Sequence, residues 1–290
     1  MPDFADIAVS LPIDKLFQYR IPEPLSVAVK VGCRVFVPFG TRRIVGYVVG
    51  LGKDSGISGV KDIDNVIDAE PIINDEMLKL TMWISENYFC SWGEAIAAVV
   101  PGGIKQGKQS IGSRIKEPGV KPEDFAKTEP HVLMEEQSRA LKLIAGAMDK
   151  GEHRTFLLHG ITASGKTEVY LQAIDRVLKK GAKAIMLVPE IALTPQTIER
   201  FVSRFGQRVA VIHSHLTPAK RYLEWKRIKD GAADIVVGAR SAIFSPVKKL
   251  GLIIIDEEHE TTYKQDDVPR YHAREVAEER ARLNGCPLIL

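Results

Sequence analysis

The sequence predicts an α/β fold, a doubly wound parallel sheet preceded by a small β-rich domain. Three observations lead there. From Glu135 onward short apolar runs alternate with stretches of helical period, the pattern of parallel strands joined by helices. Within it, Gly160-Ile161-Thr162-Ala163-Ser164-Gly165-Lys166-Thr167 fits G-x-x-x-x-G-K-[ST] between a strand-like run and a helix-like run. Before about residue 70 the chain instead shows short β-branched and aromatic runs separated by turn residues.

Taken in order, Cys33–Val37 and Ile44–Val49 read as strands, with turn chemistry from Pro38-Phe39-Gly40-Thr41 between them. Residues 74–88 read as a helix. Asn74 can cap it, Asp75 and Glu76 suit its first turn, and Met77, Leu80, Ile84 and Tyr88 form one apolar stripe. A shorter helix covers Trp92 to Val100 and stops at Pro101-Gly102-Gly103. The stretch that follows is rich in Gly, Lys, Pro and Ser and lacks periodicity. This gives a first domain at 1–104, a linker at 105–130 and a second domain at 131–290. In the second domain, strands are expected at 155–159, 184–188, 209–213, 234–237, 251–255 and 287–290. Thr194-Pro195 and Thr217-Pro218 mark two helix starts, each an N-cap followed by proline at the first helical position. The last residues, Pro287-Leu288-Ile289-Leu290, read as the middle of a strand, so the expectation is a piece of something longer.

Composition narrows the field without deciding it. At 45% hydrophobic residues the 290-residue chain can build real cores, yet no apolar run reaches a membrane span. The first residues have no basic region followed by an apolar one, as a signal peptide would. Cys33, Cys90 and Cys286 stand far apart with no CxxC pair, giving neither zinc-site spacing nor a disulfide framework, so a reducing cytoplasm is expected. The formal charge of +3 is too small to argue for a nucleic-acid partner.

The chemistry is carried by two motifs. In the first, the backbone of Gly160, Ser164 and Gly165 can approach phosphate oxygens, and the helix that follows adds the partial positive charge of its N-terminus. Lys166 would reach the β- and γ-phosphates of ATP, and the Thr167 hydroxyl would ligate Mg²⁺. In the second, Leu252-Ile253-Ile254-Ile255 reads as a strand buried on both faces, ending in Asp256-Glu257-Glu258-His259 at the edge where open α/β sheets bind ligands. Asp256 would hold Mg²⁺ through water, and Glu257 would orient and deprotonate the attacking water.

The order of GITASGKTEVY (160–170), VPEIALTPQ (188–196), VGARSAIFSP (237–246), DEEH (256–259) and YKQDDVPRYHAR (263–274) closely resembles the primosomal replication-restart DNA helicases, the PriA family. Phe17-Gln18-Tyr19, Gly32-Cys33-Arg34-Val35, Val37-Pro38-Phe39-Gly40 and Ala69-Glu70-Pro71 resemble that family's 3′-end-binding domain. The resemblance implies a RecA-like first lobe of a superfamily 2 helicase, moving 3′ to 5′ with ATP and Mg²⁺ at stalled forks. Its partners would be forked or single-stranded DNA with a free 3′ end, other primosome proteins and single-strand-binding protein, in the bacterial nucleoid and away from membranes.

By resemblance, Gln137, just ahead of the second domain's first helix, would read adenine, and Arg240 and Ser241 would contact the single-strand backbone. Tyr263, Lys264, Arg270, Tyr271, His272 and Arg274 correspond to an aromatic-rich loop that couples DNA binding to hydrolysis, a mixture able to stack bases and neutralise phosphates. Phe17, Gln18, Gly40 and Lys61 would hold the terminal 3′ nucleotide. The pattern departs from the family at Gln18, usually acidic, and at Ala163, usually glycine. The linker looks too short for the family's winged helix. The second lobe, with its arginine finger, and the zinc-binding insertion with its ligands lie outside these residues. The expectation is therefore weak ATP binding, very slow hydrolysis and no unwinding by this chain alone. Two alternatives remain: a non-catalytic 3′-end-binding module or short paralogue, and another P-loop ATPase such as a restriction-type translocase. The N-terminal resemblance speaks against the second.

Overall fold

The computed structural model describes residues 2–54, 58–101, 126–161 and 164–290, in two compact units. Most of the expected linker, and with it Thr162 and Ala163 of the P-loop, lies outside the described residues.

The first unit is a five-stranded antiparallel sheet with two helices. Its strands are β1 (Phe4–Val9), β2 (Phe17–Arg20), β3 (Arg34–Phe39), β4 (Arg42–Gly52) and β5 (Asn65–Val66), in the order β2-β1-β4-β3-β5. Alternation places Ala5, Ile7 and Val9 of β1 in one core with Val35, Val37 and Val48 from the neighbouring strands. The helices are α1 (Asp75–Asn87) and α2 (Trp92–Val99), one residue shorter at their ends than the sequence suggests. Asn74 Oδ1 accepts from Met77 N at 2.8 Å, and Ser91 forms a full capping box with Glu94. A Cβ on Gly93 would fall 1.8 Å from Val9 O, so α2 meets the β1 backbone with no room for a side chain. A buried ion pair holds β3 to the chain beyond β5. Arg34 Nη2 lies 2.5 Å from Asp68 Oδ1, and Arg34 Nε and N both donate to Asp68 Oδ2 at 2.9 Å.

The second unit is a six-stranded parallel sheet in the order β6-β11-β10-β7-β9-β8. Its strands are β6 (Thr155–Phe156), β7 (Lys183–Leu187), β8 (Val209–Ile212), β9 (Ile235–Gly238), β10 (Leu250–Ile255) and β11 (Leu288–Ile289). All six overlap the expected positions; β6 spans Thr155–Phe156, and Leu158 N continues the pairing to Leu290 O at 2.8 Å. The helices are α3 (Glu135–Lys150), α4 (Lys166–Lys179), α5 (Pro195–Phe205), α6 (Pro218–Asp230) and α7 (Ala273–Asn284). Thr194 and Thr217 cap α5 and α6, each accepting the N–H three residues on at 3.3 Å. Leu252 and Ile254 of β10 join Ala184 and Met186 of β7 in the core against α4. Arg280 of α7 is fully buried and donates to Ile243 O and, at 2.9 Å, to Ser245 O, tying α7 to the turn after β9. Among the described residues no helix is long and apolar enough to cross a membrane. Cys33, Cys90 and Cys286 are buried and in no disulfide, and burial first, then the Glu94 charge, pushes the Cys90 thiol up to about 11.

Candidate nucleotide and nucleic-acid sites

The P-loop and the end of β10 lie side by side in the second unit. Gly165 is the N-cap of α4 at φ +81°, and a Cβ there would stand 2.3 Å from Gln137 Nε2. The backbone angle therefore favours glycine, and any side chain would also displace the Gln137 amide. At Gly160 a Cβ would meet the Ser164 hydroxyl at 2.6 Å, a side-chain tip that can rotate away. Lys166 opens α4 and turns its Nζ back over the loop, 2.5 Å from Gly160 O and 3.5 Å from Ile161 O. The same ammonium lies 3.9 Å from Glu257 Oε1. Thr167 sits in the first turn of α4, and Glu168 behind it is held by Arg204 at 3.0 Å and Gln172 at 2.8 Å.

Gln137 is not ahead of the first helix, as the sequence suggested, but three residues into α3. Its side chain caps the helix, accepting from Met134 N at 2.8 Å, and donates to Ser164 O at 3.0 Å. The boundary differs because Met134, whose side chain makes no capping bond, takes the N-cap position while Gln137 accepts from its N–H.

Asp256 follows directly on β10, and its N–H continues the ladder to Leu187 O at 2.9 Å. Two buried tyrosines grip it. Tyr170 of α4 donates to Asp256 Oδ1 at 3.2 Å, and Tyr263 donates to Asp256 O at 2.7 Å. Burial raises the Asp256 carboxyl above its usual range and the Glu257 charge adds to this, while Tyr170 and Lys166 oppose. Burial likewise raises both phenols, with the Asp256 charge second, so both stay protonated donors. Glu257 adopts φ +46°, a left-handed angle uncommon for a residue with a side chain. Glu258 turns away to Arg274 at 2.8 Å.

The residues expected to meet DNA fall into two groups. In the second unit, Arg240 lies in a tight turn after β9 and donates to Thr262 O at 3.2 Å and to Lys264 O. Ser241 beside it is exposed. Tyr263 is 1% exposed, so its ring is not presented for stacking, and Tyr271, 2% exposed, falls with Arg270 in the stretch Gln265–Tyr271 that groups with the first unit. Lys264, Arg270 and Arg274 are exposed, and Lys264 bridges to His272. Burial, then Arg274, holds the His272 imidazole below its ordinary value, and its Nδ1 accepts from Arg274 N at 3.2 Å.

In the first unit, Phe17, Gly40 and Lys61 converge. The rings of Phe17 and Phe39 meet edge to face at 5.1 Å, and Lys61 Nζ reaches Gly40 O at 3.5 Å. Gly40 stands at φ +59° with nothing within 4 Å of where a Cβ would be. Gln18, on the opposite side of β2, donates to Asp6 Oδ1 at 3.4 Å instead. From the sequence Phe39 reads only as a turn residue and Tyr170 only as part of the helix after the P-loop. Among the described residues no group of three or more His, Cys, Asp or Glu could hold a metal ion.

Comparison with known proteins accounts for both units. A family model of the DEAD/DEAH box helicases matches residues 134–284, just over half of the chain. This chain belongs to the DEAD/DEAH box helicase family. A second model, the 3′DNA-binding domain (3′BD) of PriA, matches residues 6–101 of this chain. The replication restart protein PriA of Bacillus subtilis (strain 168) is 34% identical, the alignment covering 99% of this chain and 53% of the relative. That of Treponema pallidum (strain Nichols) is 38% identical over 100% of this chain and 44% of the relative. The resemblance to PriA therefore extends over both units, and the chain spans about half the length of these relatives. Among solved structures, RecG bound to a three-way DNA junction aligns at 25% identity over 56% of this chain and 21% of its own, with a TM-score of 0.40.

Proposed function

We propose that this helicase binds ATP with Mg²⁺ and serves 3′-to-5′ movement on forked DNA during replication restart, with its first unit holding a free 3′ end. The observation that carries the reading is the convergence of Lys166 with Asp256 and Glu257 across the mouth of the P-loop, with Lys166 Nζ 3.9 Å from Glu257 Oε1. The loop suits a phosphate chain: Gly165 caps α4 at φ +81°, an angle that favours glycine, and a helix N-terminus offers unpaired N–H groups to an anion.

In this reading Lys166 leaves the Gly160 carbonyl for the β- and γ-phosphate oxygens, and the backbone of Ser164 and Gly165 wraps the phosphates. Thr167 and Asp256 would hold Mg²⁺, which when bound offsets the charge on the transferring phosphoryl group. Glu257, side-chain exposed to 40%, accepts the proton of the attacking water. Gln137 latches the P-loop through Ser164 O, and reading adenine would require its amide to leave that partner. Arg240, Ser241, Lys264, Arg270 and Arg274 supply contacts to the DNA backbone, with Tyr263, Tyr271 and His272 as the loop's internal supports. In the first unit Phe17 stacks on the terminal base while Gly40 and Lys61 receive its sugar and phosphate. Single-strand-binding protein and primosome components are proposed partners by resemblance.

The test compares binding of this chain to forks with a free or a blocked 3′ end, alongside titration with a fluorescent ATP analogue. Tighter binding to the free end, together with nucleotide binding that requires Lys166, supports the reading. Equal affinity for both ends would remove the 3′-end role from the first unit.

A further inference from the structure

We infer that Tyr170 is a positioning residue for the nucleotide-site metal, acting through Asp256. The inference rests on the reading of Asp256 as the carboxylate that holds Mg²⁺. Tyr170 lies one turn into α4, the helix that opens with Lys166 and Thr167. Its ring is packed in the sheet core and is 2% exposed, with neighbours Val169, Ala173 and Ile174 in the same cluster. A phenylalanine would satisfy that packing equally. The hydroxyl is what phenylalanine would lack, and it donates to Asp256 Oδ1 at 3.2 Å.

That one hydrogen bond links the two halves of the site. The α4 backbone sets where Thr167 points, and through Tyr170 the same helix sets where Asp256 points. An aspartate side chain has a broad terminal torsion and would otherwise swing its oxygens freely. Held by Oδ1, the carboxylate is fixed relative to the Thr167 hydroxyl, so the two groups stay in register for one cation. The main-chain side of Asp256 is fixed separately, by its N–H on Leu187 O and by Tyr263 on its carbonyl. Tyr170 therefore orients the carboxylate group itself from the P-loop helix.

The experiment is a Mg²⁺ titration of fluorescent ATP-analogue binding, comparing the parent chain with Y170F, D256N and the double variant. Y170F should raise the Mg²⁺ concentration at half-effect about tenfold, as expected for losing a hydrogen bond to a charged group. Its affinity for the analogue in EDTA should stay at the parent value, while its melting temperature should fall by a few degrees, as for any lost buried hydrogen bond. In the D256N background, Y170F should add nothing, because the two residues act as one unit. An unchanged Mg²⁺ midpoint in Y170F would overturn the inference, and so would penalties that simply add in the double variant. If D256N itself leaves the Mg²⁺ dependence intact, the assignment of Asp256 fails first, and that outcome is distinguishable from failure of Tyr170 alone.

Discussion

Lys166 Nζ lies 3.9 Å from Glu257 Oε1, joining the loop that opens α4 to the turn that closes β10. Among the described residues the lysine's other contacts are with carbonyls of its own loop, at Gly160 and Ile161. An ammonium held this way can transfer to phosphate oxygens without abandoning a strong ion pair. Lys166→Ala should therefore weaken ATP binding about tenfold or more, the worth of one charge-assisted hydrogen bond. Titration with a fluorescent ATP analogue measures it. Unaltered affinity would mean the loop does not cradle phosphate.

Glu257→Gln separates binding from chemistry. The amide keeps the shape of the side chain but cannot take a proton from water. DNA-stimulated turnover should fall about 10²- to 10⁴-fold, the usual share of a general base, while analogue binding stays near the parent value. Rapid-quench measurement of phosphate release distinguishes this from a binding defect.

Two substitutions probe the first unit. Asp68→Ala strands the Arg34 guanidinium, which is 2% exposed, and should cost about 3–5 kcal/mol in urea unfolding of that unit. Gly93→Ala drives a methyl against Val9 O and should cost about 1–3 kcal/mol by forcing α2 off the sheet. A loss below about 0.5 kcal/mol for either would show that the packing there is looser than the distances indicate.

A pH dependence follows from Asp234. Burial works against its charge, but hydrogen bonds from Arg208 and Lys183 prevail and lower its pKa below 3.8. A carboxylate depressed in the folded state contributes stability that is full above its unfolded value and is lost as pH falls through the folded one. Asp234→Asn should therefore lower the melting temperature at pH 7. The gap to the parent protein should close as pH drops below about 4. A gap independent of pH would point to packing instead of charge.

The P-loop and the Asp256–Glu257 turn were legible because phosphate chemistry leaves little choice of residue at those positions. The six parallel strands were legible because strands buried on both faces appear as unbroken apolar runs, Leu252–Ile255 most plainly. Strands β1 and β2 were missed. Asp6 and Gln18 break their apolar character, because both lie where the sheet faces away from the core. The convergence of Phe17 with Phe39 and of Gly40 with Lys61 depends on antiparallel register, which the resemblance named in part but local pattern could not supply. Tyr170 was passed over since an aromatic on the inner face of a helix ordinarily reads as core, and its ring is core; only the hydroxyl's partner sets it apart.

Arg280 carries a lesson about which neighbours are free to drift. Its guanidinium is held by the carbonyls of Ile243 and Ser245, groups that every amino acid brings to the chain. The side chains at those two positions can consequently vary without disturbing the contact. Ser245 Oγ, buried with no partner among the described residues, could give way to alanine at no cost. The arginine has no such latitude, because lysine's single ammonium could not span both carbonyls as its fork does. Mutational tolerance around this anchor should thus be one-sided: permissive along the turn, strict on the helix.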